Sequence, residues 1–238
     1  MEQLYEKPLD VSPSICDASG HLSYPGAFSV FLDLAGEHAE RLGVGLDVLM
    51  PQKLFWLTVK TKIRFYERPR LSETVTALTW PEKPGPIRSN RSYELRRGDK
   101  LLLAGKTEWA VMDTAAHTPV PPASVFPALA FDRPTALAEP FARITGRFDG
   151  VAPYAEYTVR STDIDVGGHM NNAAYLRALF SCWSVAETAA MDIHSMDVIF
   201  RASCFEGETL RLQRLDAPGS TDIRMSRGDD TILLVRIQ

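Results

Sequence analysis

The chain has 238 residues, 45% hydrophobic and 24% charged, which is enough for one large domain or two small ones with buried cores. Its net charge of −4 lacks the Lys and Arg surplus with which a nucleic-acid binder displaces counterions. No apolar run approaches the ~20 residues of a bilayer span, and neither a metal-ligand spacing (CxxC, HExxH) nor a phosphate loop (GxGxxG, GxxxxGK[ST]) occurs.

From the N-terminus, "MEQLYEKPLD" has neither the basic start nor the apolar stretch of a secretory signal. The three cysteines, Cys16, Cys182 and Cys204, are odd in number and far apart, so reduced thiols in a cytoplasmic protein are expected. "CDASGHLSYP" follows, and then Phe28, Leu32, Ala35, Ala39 and Leu42 recur at steps of four and three, which predicts a helix with one apolar face. The period then switches to two. In "LTVKTKIRF", Leu57, Val59, Thr61, Ile63 and Phe65 alternate with Thr58, Lys60, Lys62 and Arg64, the pattern of a strand with one buried face. "ETVTALTW", "RSYELRR" and "KTEWAVM" read as further strands, the last two separated by "RRGDK", where Gly-Asp suits a tight hairpin. "TPVPPASVFPALAFDRPTALAEP" holds six of the sixteen prolines and reads as a linker or a surface strap.

Beyond it the chain repeats itself. Asp165, Gly168, His169 and Met170 of "DIDVGGHMNN" match Asp17, Gly20, His21 and Leu22 at an offset of 148 residues. Leu176, Leu179, Trp183, Ala186 and Ala190 predict a second amphipathic helix, and Met196, Val198, Phe200, Ala202 and Cys204 a strand. "TLRLQRL", "TDIRMS" and "TILLVRI" complete the set, with "SRGDD" as the second Gly-Asp turn. The architecture is therefore helix plus antiparallel sheet, written twice. The expected division is residues 1–120 for the first domain, 121–147 for the proline-rich linker and 148–238 for the second domain.

"DIDVGGHMNN" concentrates chemistry in one turn ahead of a helix. A helix N-terminus offers unpaired N–H groups and partial positive charge to an oxyanion. Asp165 can act as nucleophile or general base, and the imidazole of His169 can donate to a carbonyl oxygen or hold a water. Gly167 and Gly168 let the backbone come close to a ligand. These parts suit hydrolysis of an activated acyl group; a capped helix behind a glycine turn is the other reading of the same residues.

At this point the motif resembles a family. "DIDVGGHMNNAAYL" is similar to the hot-dog thioesterase pattern D-x-D-x-x-G-H-V-N-N-x-x-Y-L, matched at Asp163, Asp165, Gly168, His169, Asn171, Asn172, Tyr175 and Leu176. The duplicated layout, together with "DLAGEHAERLGV", "FWLTVKTKIRFYERPRLSETVTALTW", "WAVMDTAAHTPVPP" and "FRASC", resembles the bacterial branch of the acyl-acyl carrier protein thioesterases. The resemblance implies an α+β tandem (double) hot-dog fold, two antiparallel sheets each wrapping a long helix. It implies hydrolysis of acyl thioesters on acyl carrier protein, ending fatty acid elongation, with no metal or organic cofactor. Asp165 and His169 match catalytic positions, Asn171 a supporting asparagine and Cys204 a cysteine bordering the site. Gly167 stands where the branch has asparagine and Ser203 where it has glutamate, which leaves water activation to Asp165.

The first copy, with Ser23 and Tyr24 in place of Asn171 and Asn172, is expected to be a degenerate half that lines the acyl chain with Phe28, Phe31, Leu32 and Trp56. Lys60, Lys62, Arg64, Arg88, Arg91, Arg96 and Arg97 are candidate contacts for an acidic carrier protein. The expected protein is a monomer or homodimer that binds neither nucleic acid nor membrane. An acyl-CoA thioesterase with the same site, or an acyl-binding hot-dog protein without turnover, remain as alternatives.

Overall fold

Alternating burial along the strands and one buried face on each main helix build two units, one ending at Glu139 and one beginning at Pro140. The structure, a computed structural model, describes residues 2–238.

In the first unit β1 (Tyr5–Asp10), α1 (Tyr24–Arg41), α2 (Leu46–Leu49), β2 (Leu54–Phe65), β3 (Thr74–Pro81), β4 (Ser89–Arg97) and β5 (Lys100–Asp113) follow in order, with a short β6 (Thr118–Val120). The antiparallel sheet runs β1-β3-β4-β5-β2, and β6 pairs with β5. In the second unit β7 (Ala155–Thr158), α3 (Asn172–Ser181), α4 (Val185–Ala190), β8 (Ser195–Phe200), β9 (Thr209–Ala217), β10 (Ser220–Arg227) and β11 (Asp230–Ile237) form a sheet ordered β7-β9-β10-β11-β8. The duplication read from the motifs is thus a duplication of topology. Both Gly-Asp turns are two-residue hairpins, closed by Arg97 opposite Lys100 and Arg227 opposite Asp230. Even the bulge recurs, at Leu95/Arg96 and Met225/Ser226, three residues ahead of each turn glycine.

α1 starts where the Ser23 hydroxyl accepts the Gly26 N–H at 2.9 Å, with Pro25 in its first turn. It buries Phe28, Phe31 and Leu34 against the sheet, each worth about 1.5–3 kcal/mol by area. Phe31 lies flat on Tyr93, ring centroids 4.6 Å apart. This stacking needs Gly105, because a Cβ there would stand 2.4 Å from the Phe31 ring.

Two expectations change. The second helix is not one long element: α3 ends at Ser181 and Ser184 starts α4 with a capping box to Glu187, so Ala186 and Ala190 are exposed rather than on a buried stripe. The strand expected to reach Cys204 stops at Phe200, leaving Ala202 exposed and Cys204 in irregular chain. The proline-rich segment takes the strap form of its two readings. Residues 134–139 strap the first sheet, with Trp80 donating to the Pro134 carbonyl and Arg64 gripping Glu139 through two bonds. Residues 142–148 strap the second, where the Ala142 N–H donates to Asp197 Oδ1 at 2.7 Å.

Candidate active site

The two motif loops are the same object bond for bond. In the second, the Asp165 N–H donates to the His169 carbonyl (2.9 Å), the Gly168 N–H to the Asp165 carbonyl (3.0 Å), and the Asn171 N–H to the Asp163 carbonyl (2.7 Å). In the first, Asp17 to His21 (2.9 Å), Gly20 to Asp17 (3.0 Å) and Ser23 to Ile15 (2.9 Å) repeat the pattern. Each loop turns on a left-handed glycine, Gly20 at φ +72° and Gly168 at φ +76°, where a side chain would be strained. Each is tied to the chain before the third strand of its unit, Leu22 N–H to the Pro69 carbonyl and Met170 N–H to the Cys204 carbonyl, both 2.8 Å. This correspondence aligns Arg68 with Ser203.

The side chains then separate the copies. In the first, Arg68 pairs with Asp17 and also donates to the Leu22 carbonyl, while its guanidinium lies over the Tyr24 ring. The Ser19 hydroxyl donates to Asp17 Oδ1 at 2.6 Å and meets His21 Nδ1 at 3.0 Å. Burial pushes the Asp17 carboxyl up, but the Ser19 bond and the Arg68 pair outweigh it and hold the group below its usual range. The Asp17 carboxylate of the first copy is therefore spent, and its His21 Nδ1 is held by Ser19.

In the second, glycine replaces Ser19 and serine replaces Arg68. Asp165 keeps one bond, from the Gly167 N–H to Oδ1 at 2.8 Å, and Oδ2 has no protein partner among the described residues. The His169 ring makes no hydrogen bond there either; it rests against Phe205, centroids 5.4 Å apart. A carboxylate oxygen and an imidazole, each oriented by its loop and uncommitted, are what acyl hydrolysis requires.

The other expected residues support this pair. Asp163 is buried and structural, its Oδ2 accepting from the Tyr157 hydroxyl and the Arg160 N–H at 2.8 Å each. Asn171 caps α3 through the Ala173 N–H (2.8 Å), and its carbonyl takes the Ala174 N–H (2.8 Å). Those two donors of the first turn are therefore consumed. Asn171 Oδ1 being occupied, its Nδ2 is left as a donor. Cys204 is fully buried; burial pushes its thiol up, which disfavours the thiolate a nucleophile needs. It serves as an anchor, its N–H donating to the Tyr175 hydroxyl at 3.0 Å.

In the first unit, Phe28 and Phe31 are buried core, Leu32 is half-buried, and Trp56 is half-buried with its indole N–H on the Val44 carbonyl (2.9 Å). The cations of the expected basic patch are each paired with an acid or buried. Lys60 and Arg88 lie at Glu108, Lys62 and Arg64 at Glu139, Arg96 at Glu94, Arg97 at Glu67 and Glu73, and Arg91 is buried. Alternation marks a strand's outer face as basic but says nothing of the acids on neighbouring strands.

Sequence reasoning passed over Phe205, the wall against His169, and the Arg227–Glu208 pair (2.8 Å) behind the segment that carries it, since an irregular segment has no periodicity to read.

Comparison with known proteins adds the following. The model of the acyl-ACP thioesterase N-terminal domain matches residues 2–122, and that of the C-terminal domain matches residues 149–231. An acyl-ACP thioesterase from Bacteroides thetaiotaomicron shares the fold at TM-score 0.88 and 19% identity, covering 99% of this chain and 97% of its own. The 12:0-ACP thioesterase from Umbellularia californica does so at TM-score 0.85 and 16% identity, covering 100% and 97%. No curated protein sequence matches the chain.

Proposed function

The chain belongs to the acyl-ACP thioesterase family, both of whose domain models it matches, and we propose that Asp165 and His169 of the second copy alone carry its turnover. It is a thioester hydrolase of double hot-dog fold that releases free fatty acid from acyl-acyl carrier protein. The observation that supports the assignment is the contrast between the copies: one carboxylate is closed by Arg68 and Ser19, the other is open at Oδ2.

In the proposed cycle His169 donates to the thioester carbonyl oxygen and Asp165 Oδ2 takes a proton from water. The water oxygen bonds to the carbonyl carbon, the carbon–sulfur bond breaks, and the proton returns from Asp165 to the departing thiolate. Asn171 Nδ2 steadies the water, and Gly167 and Gly168 give the substrate close access to the backbone. Cys204 positions the loop.

For the carrier, Arg160, Arg177 and Arg201 are better placed than the strand cations of the first unit. All three are exposed, none pairs with a carboxylate among the described residues, and they sit just before Asp163, on α3 and just before Cys204. No described helix is long and apolar enough to cross a membrane. The three free cysteines fit a reducing compartment, so we place the reaction in the cytoplasm. Single turnover in water enriched in oxygen-18, with borohydride or hydroxylamine trapping of any acyl–aspartyl anhydride, tests the water route: label enters the fatty acid, Asp165 stays unlabelled and no anhydride is trapped, whereas label in Asp165 or a trapped anhydride would show direct attack.

A further inference from the structure

Each motif loop is backed by a turn, and the two turns are built alike. In the first unit the Arg70 N–H donates to Glu73 Oε2 (3.0 Å) and the Glu73 N–H returns to the Arg70 carbonyl (3.1 Å). The Ser72 N–H bonds the Val11 carbonyl (2.9 Å), the Val11 N–H bonds the Glu73 carbonyl (2.9 Å), and Arg97 pairs with Glu73 from the hairpin. In the second unit the Phe205 N–H donates to Glu208 Oε2 (3.1 Å) and the Glu208 N–H returns to the Phe205 carbonyl (3.2 Å). The Gly207 N–H bonds the Val159 carbonyl (3.0 Å) and the Val159 N–H the Glu208 carbonyl (2.9 Å). Arg227, placed in its hairpin as Arg97 is, grips Glu208 through two bonds (2.8 and 2.9 Å). Arg70 and Phe205 are thus one position on a duplicated scaffold that sets it beside the loop histidine. Arg70 pairs with His21 in an antiparallel bridge, and the Phe205 ring lies 5.4 Å from that of His169.

Only the side chains differ. The closed copy presents Arg70, with Ala18 after its aspartate; the open copy presents Phe205, with Val166 after its aspartate. Val166 is 74% and Phe205 48% exposed. A lone exposed apolar residue is ordinary; this one is held by a five-bond frame against the imidazole that meets the thioester carbonyl. The groups bonded to that carbonyl carbon, carbon 2 of the acyl chain and the thiol sulfur, lie within a bond or two of it. An aromatic face gains by covering methylenes and offers a hydroxyl or a ketone no partner in exchange for lost water. The thiol arm of a carrier carries an amide two carbons beyond sulfur, and both its N–H and its C=O need partners. The acyl side suits the ring.

We propose that Phe205 is a specificity-determining residue that packs on carbons 2 and 3 of the acyl group, so that the enzyme favours chains fully reduced there over 3-hydroxyacyl and 3-oxoacyl thioesters on the same carrier. The proposal rests on the reading that Asp165 and His169 hold the thioester, and every residue in it belongs to the second unit.

Its test compares kcat/KM for saturated, 3-hydroxy and 3-oxo acyl-acyl carrier proteins of matched length in the wild type, Phe205→Leu, Phe205→Gln and Phe205→Arg, the last carrying the first copy's side chain. The wild type prefers the saturated chain by about ten- to a hundredfold, the range over which an apolar site rejects an added polar group. Phe205→Leu keeps that ratio within about twofold, and Phe205→Gln and Phe205→Arg lower it about fivefold or more. A wild type that hydrolyses 3-hydroxyacyl and saturated chains equally overturns the proposal. So does a ratio unchanged in Phe205→Gln because every substrate loses alike, which would put the ring against the thiol arm. Should Phe205→Arg not fold, Phe205→Gln and Phe205→Leu decide by the same ratio. A second arm measures affinity for uncleavable, amide-linked forms of the same three acyl carrier proteins. The wild type binds the saturated form about tenfold more tightly than the 3-hydroxy form, and Phe205→Gln loses the difference. That difference without any turnover of the thioesters would sink the hydrolase reading and leave this proposal standing; turnover with equal affinities and equal kcat/KM would do the reverse.

Discussion

Transplanting the first copy's lock into the second should close the site. Ser203 occupies the place of Arg68, because both precede the residue whose carbonyl receives the loop's N–H. Ser203→Arg therefore puts a guanidinium within reach of the free Asp165 oxygen. Arg68 and Asp17 are 19% and 25% exposed, so the pair they form is partly desolvated. A hydrogen bond to a charged group in such a setting contributes roughly 1.5–3 kcal/mol. The catalytic carboxylate must break that bond to accept a proton, which costs about ten- to 150-fold in rate at 1.36 kcal/mol per decade. The assay is free-thiol release from acyl-acyl carrier protein under saturating substrate, with Ser203→Gln as a neutral control of similar reach. The same substitution should raise the melting temperature, since it adds the pair to the folded state. Equal activity in Ser203→Arg, Ser203→Gln and wild type would refute the claim that an open Asp165 oxygen distinguishes the copies.

Other substitutions probe separate parts of the account. Asn171→Ala removes the α3 cap at about 1 kcal/mol and lowers the melting temperature by roughly 2–4 °C, whereas Asn171→Asp restores the melting temperature without restoring the rate. Gly105→Ala places a Cβ 2.4 Å from the Phe31 ring and should destabilise by about 1–3 kcal/mol in denaturant titration. Arg160→Glu with Arg177→Glu should raise KM for the carrier-linked substrate about five- to tenfold at low salt, with the difference shrinking as salt is added. Cys204→Ser should lower kcat by less than about tenfold, far from the loss a missing nucleophile would give.

Most of the fold was legible because duplication and period both reach the primary sequence. The strands β2 to β5 and β9 to β11 alternate or sit beside Gly-Asp turns, and the two motif loops share their glycine and histidine. β1 and β7 were not legible. Each is the edge of its sheet with one neighbour, so it needs no strong alternation, and Pro8 within β1 even argues against a strand. The break between α3 and α4 is a local contest: Ser184 and Glu187 close a capping box, and the residues after them gain no burial that would favour continuing the helix. At the site, Asp165 and His169 could be nominated from residue type and position, and Asn171 only from the resemblance. That Arg68 shuts the first loop could not, because it lies 51 residues from Asp17 and only the fold brings them together.

The most direct test is thiol release from matched acyl-acyl carrier protein and acyl-CoA substrates, eight to eighteen carbons long, by the wild type, Asp165→Asn and Asp17→Asn. The account predicts turnover that favours the carrier protein, loss of about a thousandfold or more in Asp165→Asn, and turnover of the same order as wild type in Asp17→Asn. Full activity in Asp165→Asn, or equal loss in both variants, would contradict it.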